Sequence, residues 1–132
     1  MYRSDDWDRR PSLLLIDDCA EQRDLYAFAL ESTFEVVTAS RGVEGIELAT
    51  KERPDAIVLD VMMPGMDGWE TCTQIKCNAD TASIPVILLT ATSDGDLAQH
   101  ATAVGASAIL RKPCSTDRLQ EAILAAMSEG RL

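Results

Sequence analysis

The sequence predicts an α/β domain, with a doubly wound, five-stranded parallel sheet covered by helices on both faces. Strand signals and helix signals alternate strictly, five of each, between Ser12 and Ser128. The strand candidates are continuous apolar runs such as Leu13-Leu14-Leu15-Ile16 and Ala56-Ile57-Val58-Leu59, with no polar residue at every second place. Strands of that kind are buried on both sides. Two of the runs end abruptly in acids, Asp17-Asp18 and Asp60. Carboxylates delivered from the carboxyl ends of neighbouring strands meet in one place, and such sheets bind ligands there.

Met1 to Pro11 is polar and without a usable period, and reads as a loose leader. Leu13 to Ile16 is the first strand. Glu21 to Ser32 is the first helix, with Leu25, Phe28, Ala29 and Ser32 spaced along one stripe. Phe34 to Ala39 is the second strand. Gly42 to Glu52 is the second helix, turning Gly45, Ile46 and Ala49 inward. Gly45 costs that helix about 1 kcal/mol relative to alanine, which points to close packing at that place. Ala56 to Leu59 is the third strand, and Gly68 to Cys77 the third helix, with Asp67 as its cap. Pro85 to Leu89 is the fourth strand, and Gly95 to Val104 a weaker fourth helix. Ser107 to Leu110 is the fifth strand. Ser115 to Ser128 is the fifth helix, capped by Ser115 and stopped at Gly130, with Leu119, Ala122, Ile123, Ala126 and Met127 at helical spacing.

A chain of 132 residues is the size of one domain with a core of its own. The net charge is -10, from 22 acidic and 12 basic residues, and no Lys/Arg cluster stands out. Direct nucleic-acid binding and docking on an anionic membrane are not expected. No apolar stretch approaches the ~20 residues that span a bilayer, and the charged segment Met1 to Arg10 is no secretory signal. A cytoplasmic location is expected. Cys19, Cys72, Cys77 and Cys114 form no C-x-x-C pair, and His100 is the sole histidine. Zinc spacing is absent, so free thiols are expected, with Cys72 a small buried residue of its helix. His100 reads as a surface residue and Trp69 as a partly exposed packing residue.

Asp17, Asp18, Asp60, Thr90 and Lys112 all fall at carboxyl ends of predicted strands. Three carboxylates within ~5 Å repel by about 3 kcal/mol per pair at an effective dielectric near 20, so such a cluster needs compensation. Mg²⁺, a hard cation with oxygen ligands, suits it. Lys112 adds a fixed positive charge and Thr90 a hydroxyl donor. Carboxylate, cation, lysine and hydroxyl together meet the needs of phosphoryl transfer to an aspartate.

The segments LLLIDD, IVLDVMMPGMDGWE, IPVILLTA and GASAILRKP resemble the receiver domain of bacterial two-component response regulators, including stand-alone chemotaxis regulators. The likeness runs from about Ser12 to Met127 and implies a flavodoxin-like sheet of strand order 2-1-3-4-5. It divides the chain into a leader (1–11), a receiver domain (12–129) and a tail (130–132). It implies Asp60 as phospho-acceptor and Asp17, Asp18, Asp60 and the Met62 backbone carbonyl as ligands of Mg²⁺, with Mn²⁺ the alternative. Thr90 and Lys112 would stabilise the phosphoryl group, and Lys112-Pro113 would be a cis peptide. The implied function is a phosphorylation-activated switch, not an enzyme, that takes its phosphoryl group from a sensor histidine kinase or a histidine phosphotransfer protein. Its output face would be the fourth helix, fifth strand and fifth helix, including Gln99, His100, Thr102 and Ala103, with Leu124 nearby. That face would contact a downstream protein, or a second copy on phosphorylation.

The chain departs from the family pattern at several places. Switching normally couples Thr90 to an aromatic three residues before the lysine, and here that switch position is Ile109. Cys114 stands where an aromatic commonly follows Lys-Pro. Met62 and Thr92 supply no base to align a water, so slow self-dephosphorylation is expected. Ser128 to Leu132 leave no room for an output domain, so the chain is expected either to stand alone or to be cut from a longer protein. Two other classes fit less well. A phosphatase of haloacid-dehalogenase type needs an acid two residues after its nucleophile, where this chain has Met62. A flavin-binding module needs a Ser/Thr/Gly-rich loop after the first strand, where it has Asp17-Asp18-Cys19.

Overall fold

In the computed structural model, the residues described are 10–92 and 95–129. Most of the predicted leader, the Gly130 helix stop and the tail lie outside them. The element order is β1 (Ser12–Ile16), α1 (Ala20–Leu30), β2 (Glu35–Ala39), α2 (Gly42–Glu52), β3 (Ala56–Asp60), α3 (Gly68–Cys77), β4 (Val86–Thr90), α4 (Leu97–Ala103), β5 (Ala108–Arg111) and α5 (Thr116–Glu129). All strand pairs are parallel, in the order β2-β1-β3-β4-β5. The order reverses at β1, so the gap between the ends of β1 and β3 is the topological switch point.

Alternation along the strands sorts the core into two layers. Leu13 and Leu15 of β1 pack with Val58, Ile87 and Leu89 under α1 and α5, against Tyr26, Leu30, Leu119 and Ile123. Leu14 and Ile16 turn the other way, with Ile57, Leu59 and Leu88, under α2, α3 and α4, against Ala49, Cys72, Ile75 and Ala101. Every residue of β3 and β4 is buried, whereas β2, at one edge, keeps Glu35, Val37 and Thr38 exposed. The expected inward faces of α2 and α5 are observed, with Ala122 and Ile46 only partly buried. A Cβ at Gly45 would run into the Ile16 side chain, so the glycine marks the predicted close approach of α2 to β1.

The first helix is a correction. Leu25 and Phe28 of the expected stripe are 66% and 75% exposed, and Ser32 is exposed and lies beyond the helix end. The buried side is Tyr26 and Leu30, with Ala27 beside them. Apolar residues occupy both sides of this helix, so periodicity alone does not rank them. Tyr26 decides the frame, because its ring fills the core while its hydroxyl donates to the Cys114 carbonyl at 3.2 Å. Among the described residues no helix is long and apolar enough to cross a membrane.

Candidate functional site

Backbone register builds the site before any side chain is considered. Ile16 lies opposite Leu59 in the β1–β3 pair, so the next residues, Asp17 and Asp60, stand side by side at the carboxyl end. The Asp17 amide donates to the Ala39 carbonyl at 3.1 Å and the Val61 amide to Leu89 at 2.9 Å, so the sheet pairing extends to the pocket rim. Thr90 ends β4 opposite Arg111, and the Lys112 amide donates to the Thr90 carbonyl at 2.8 Å. That bond fixes the chain on either side of the lysine relative to β4.

The turn after Asp60 leads directly into α3. Gly65 has φ of 73°, a left-handed conformation suited to glycine. The Gly68 amide donates to the Val61 carbonyl at 2.9 Å. A Cβ at Gly68 would sit 2.5 Å from the Asp60 carbonyl oxygen and the Val61 Cα, so only glycine lets α3 start this close to the acid. Asp67 caps α3 by accepting from the Glu70 amide at 2.9 Å, as expected.

Asp17, Asp18 and Asp60 each place a carboxylate oxygen within 4.8 Å of the others. Asp17 and Asp60 are buried and Asp18 is exposed. Asp17 Oδ1 accepts from the Cys19 amide at 2.9 Å, while its Oδ2 is buried without a hydrogen-bond partner. Burial raises the Asp17 carboxyl from 3.8 to about 6, and the neighbouring Asp60 carboxylate adds to the rise. Asp60 is fully engaged: Oδ1 accepts from the Met62 amide at 3.1 Å, and Oδ2 from Lys112 Nζ at 3.0 Å. The Lys112–Asp60 pair is almost out of solvent, with side chains 12% and 6% exposed. Thr90 is buried, and its Oγ1 accepts from the Thr92 amide at 3.1 Å.

A hard divalent cation fits this donor set. An orphaned, buried carboxylate oxygen lies beside two further carboxylates, which is the oxygen-rich, negatively charged surrounding such ions take. Met62 runs past the pocket, since its amide bonds Asp60. The Lys112-Pro113 peptide is cis, as the family resemblance implied. The predicted residues therefore gather at one end of the sheet. Ile109 lies apart on β5, partly buried against the layer under α2, α3 and α4. Cys72 is buried, and all four cysteines are free.

Two contacts were not anticipated from the sequence. Lys112 Nζ also donates to Gln22 Oε1, at 2.5 Å. Gln22 follows Asp18 by four residues on the first turn of α1, a spacing that would have been the sequence signal for its place near the pocket. Trp69 and His100 stack with ring centroids 3.7 Å apart and planes 10° from parallel, joining α3 to α4. Trp69 is half-buried and His100 exposed, as expected.

Fold and pocket together define a doubly wound domain with an acidic, lysine-bearing cleft at its switch point. The chain belongs to the response regulator receiver domain family of two-component systems, whose description matches residues 13–124. It is 39% identical over 121 residues to the transcriptional regulatory protein AfsQ1 of Streptomyces coelicolor, covering 91% of this chain and 52% of that protein. It is 31% identical to the protein PilH of Pseudomonas aeruginosa, covering 88% of this chain and 97% of that one. Among solved structures, the Vibrio cholerae chemotaxis protein CheY4 superposes with a TM-score of 0.83 at 30% identity, covering 89% of this chain and 98% of that one. The chain thus spans about half of AfsQ1 and nearly all of PilH. As a receiver domain it is a phosphorylation-activated signalling switch, and members of the family are as a rule not enzymes.

Proposed function

We propose that Asp60 accepts a phosphoryl group from a phosphohistidine on a sensor histidine kinase or phosphotransfer protein. The observation that carries this is Asp60 itself: a buried carboxylate held by Lys112 at 3.0 Å, with the Asp17 and Asp18 carboxylates beside it. An Asp60 carboxylate oxygen attacks phosphorus, the donor's P–N bond breaks, and its electron pair leaves with the donor imidazole. The product is an acyl phosphate on Asp60.

Asp17, Asp18, Asp60 and the Met62 carbonyl would hold Mg²⁺, with Mn²⁺ as the alternative, and the cation would offset charge on the phosphoryl oxygens. Lys112 Nζ, 3.0 Å from Asp60 Oδ2, would pair with the same oxygens. The Thr90 hydroxyl donates to the phosphoryl group, and the Lys112–Thr90 backbone bond carries that movement between β4 and β5. Ile109 on β5 takes the packing change where relatives use an aromatic. The altered α4–β5–α5 face meets a downstream protein or a second copy of the chain. Met62 and Thr92 bring no general base, so the acyl phosphate decays slowly. The receiver domain of this reading runs from 12 to 129, flanked by a leader and a short tail. The four free thiols suit a reducing compartment, and a cytoplasmic setting is part of this reading.

The test is labelling with a small phosphodonor, or binding of beryllofluoride, in the presence of Mg²⁺. Wild type gains one labile group, and Asp60→Asn gains none. Equal labelling of the variant excludes Asp60 as acceptor.

A further inference from the structure

Lys112 reaches the pocket as one cation with three N–H donors on a flexible four-carbon stem. Two of those donors are engaged, by Asp60 Oδ2 at 3.0 Å and Gln22 Oε1 at 2.5 Å. The first partner is the proposed reaction centre. The second is a neutral amide on another element, 90 residues away in sequence.

The helix that carries Gln22 is anchored around it. Arg23 donates through Nη1 to the Asp17 carbonyl at 3.0 Å, and Tyr26 donates to the Cys114 carbonyl at 3.2 Å. Those bonds tie the start of α1 to the acidic turn on one side and to the chain just past Lys112 on the other. Gln22 is half-buried between them and closes one wall of a cleft of about 320 Å³ with Tyr26, Lys112 and Pro113. The turn of helix from which the Gln22 side chain reaches Lys112 is therefore fixed at both ends.

We infer that Gln22 is a positioning residue for phosphoryl transfer, acting through Lys112. This rests on the reading of Asp60 as acceptor. A neutral acceptor suits the task better than a carboxylate. It fixes the ammonium without cancelling its charge, so the full charge remains for Asp60 and for the oxygens that arrive there. It also removes much of the rotamer freedom that a lysine would otherwise lose on engaging the phosphoryl group. With two donors committed, the third N–H is left for a phosphoryl oxygen.

The experiment is a double-mutant cycle on the full chain. Gln22→Met keeps an unbranched chain of similar length and deletes the acceptor oxygen. Labelling rate with a small phosphodonor is measured for wild type, Gln22→Met, Lys112→Ala and the double variant, with Asp60→Asn as control. Gln22→Met is expected to label about tenfold more slowly than wild type, the order of one hydrogen bond to a charged group. In the Lys112→Ala background the same change is expected to do nothing, because its effect travels through the ammonium. The Mg²⁺-dependent rise in melting temperature is expected to match wild type, a readout that general damage to the pocket would lower. Gln22→Ala repeats the cycle should Gln22→Met fold poorly. Unchanged labelling in Gln22→Met, or an equal loss with and without Lys112, overturns the inference. Labelling of Asp60→Asn at the wild-type rate would instead sink the acceptor assignment on which it rests.

Discussion

At the amino end of the sheet, Asp55 accepts from the Ser12 amide at 2.8 Å and the Ser12 hydroxyl at 3.3 Å, in the open. Near it, Arg53 Nη2 and Asp80 Oδ1 form an ion pair at 3.7 Å, with side chains 68% and 57% exposed. At the carboxyl end, Asp17 is buried with one oxygen unpartnered, and Asp60 shares a nearly dry ion pair with Lys112. The same residue types thus occur at both ends with opposite consequences. Solvated and satisfied, an aspartate closes a turn. Desolvated and crowded, it keeps unspent affinity for cations and for the groups cations bring. The end proposed to carry function is the end where a buried carboxylate oxygen is left without a partner.

The strongest way to break this contrast is to remove one cation from each end. Lys112→Ala leaves a buried carboxylate without its counter-ion and is expected to cut labelling of Asp60 by on the order of 100-fold. Arg53→Ala removes an exposed pair and is expected to change stability by less than about 0.5 kcal/mol, with labelling unaffected. A large effect of Arg53→Ala in chemical denaturation would show that exposure does not separate the two ends.

Titration sharpens the comparison further. The Asp17 carboxyl is raised to about 6 by burial, so a cation must displace its proton below that pH. Apparent Mg²⁺ affinity is expected to weaken by about tenfold per pH unit below about 6, approaching a plateau above it. Calorimetric titration at several pH values checks this, and a flat profile from pH 5 to 7 would remove Asp17 from the cation site.

The smallest expected effect has opposite signs at the two ends. The folded state holds the Asp17 proton more tightly than the unfolded chain does. Stability without metal therefore falls as pH rises from 3.8 towards about 6, and the loss is complete above that. Asp17→Asn is expected to raise metal-free stability at pH 7 by on the order of 1–2 kcal/mol while abolishing stabilisation by Mg²⁺. Asp55→Ala deletes the Ser12 bonds and is expected to lower stability by about 1 kcal/mol. Thermal melts with and without Mg²⁺ distinguish the pair, and destabilisation by both substitutions would contradict the comparison.

Much of the site was legible because its residues sit where strands stop. A buried parallel strand must be apolar throughout, so an acid, a threonine or a lysine at its end stands out against the run before it. Asp17, Asp60, Thr90 and Lys112 were found in that way, and the pairing Ile16 with Leu59 then brings the two acids together. Helix faces were less legible where both sides are apolar. On α1 the sequence offered Leu25 and Phe28, and the fold chose Tyr26 and Leu30.

The amino-acid sequence by itself determined the alternation of elements, the family and the chemistry-bearing residues. Each follows from local pattern: apolar runs, turn residues and the side chain that ends each run. Tertiary structure alone decided which oxygen of Asp17 is left unpartnered, that Gln22 meets Lys112 across 90 residues, and that Trp69 stacks on His100. Those facts depend on how helices are rotated and docked. A helix commits its orientation only when the whole core closes, and no local window of sequence contains that information.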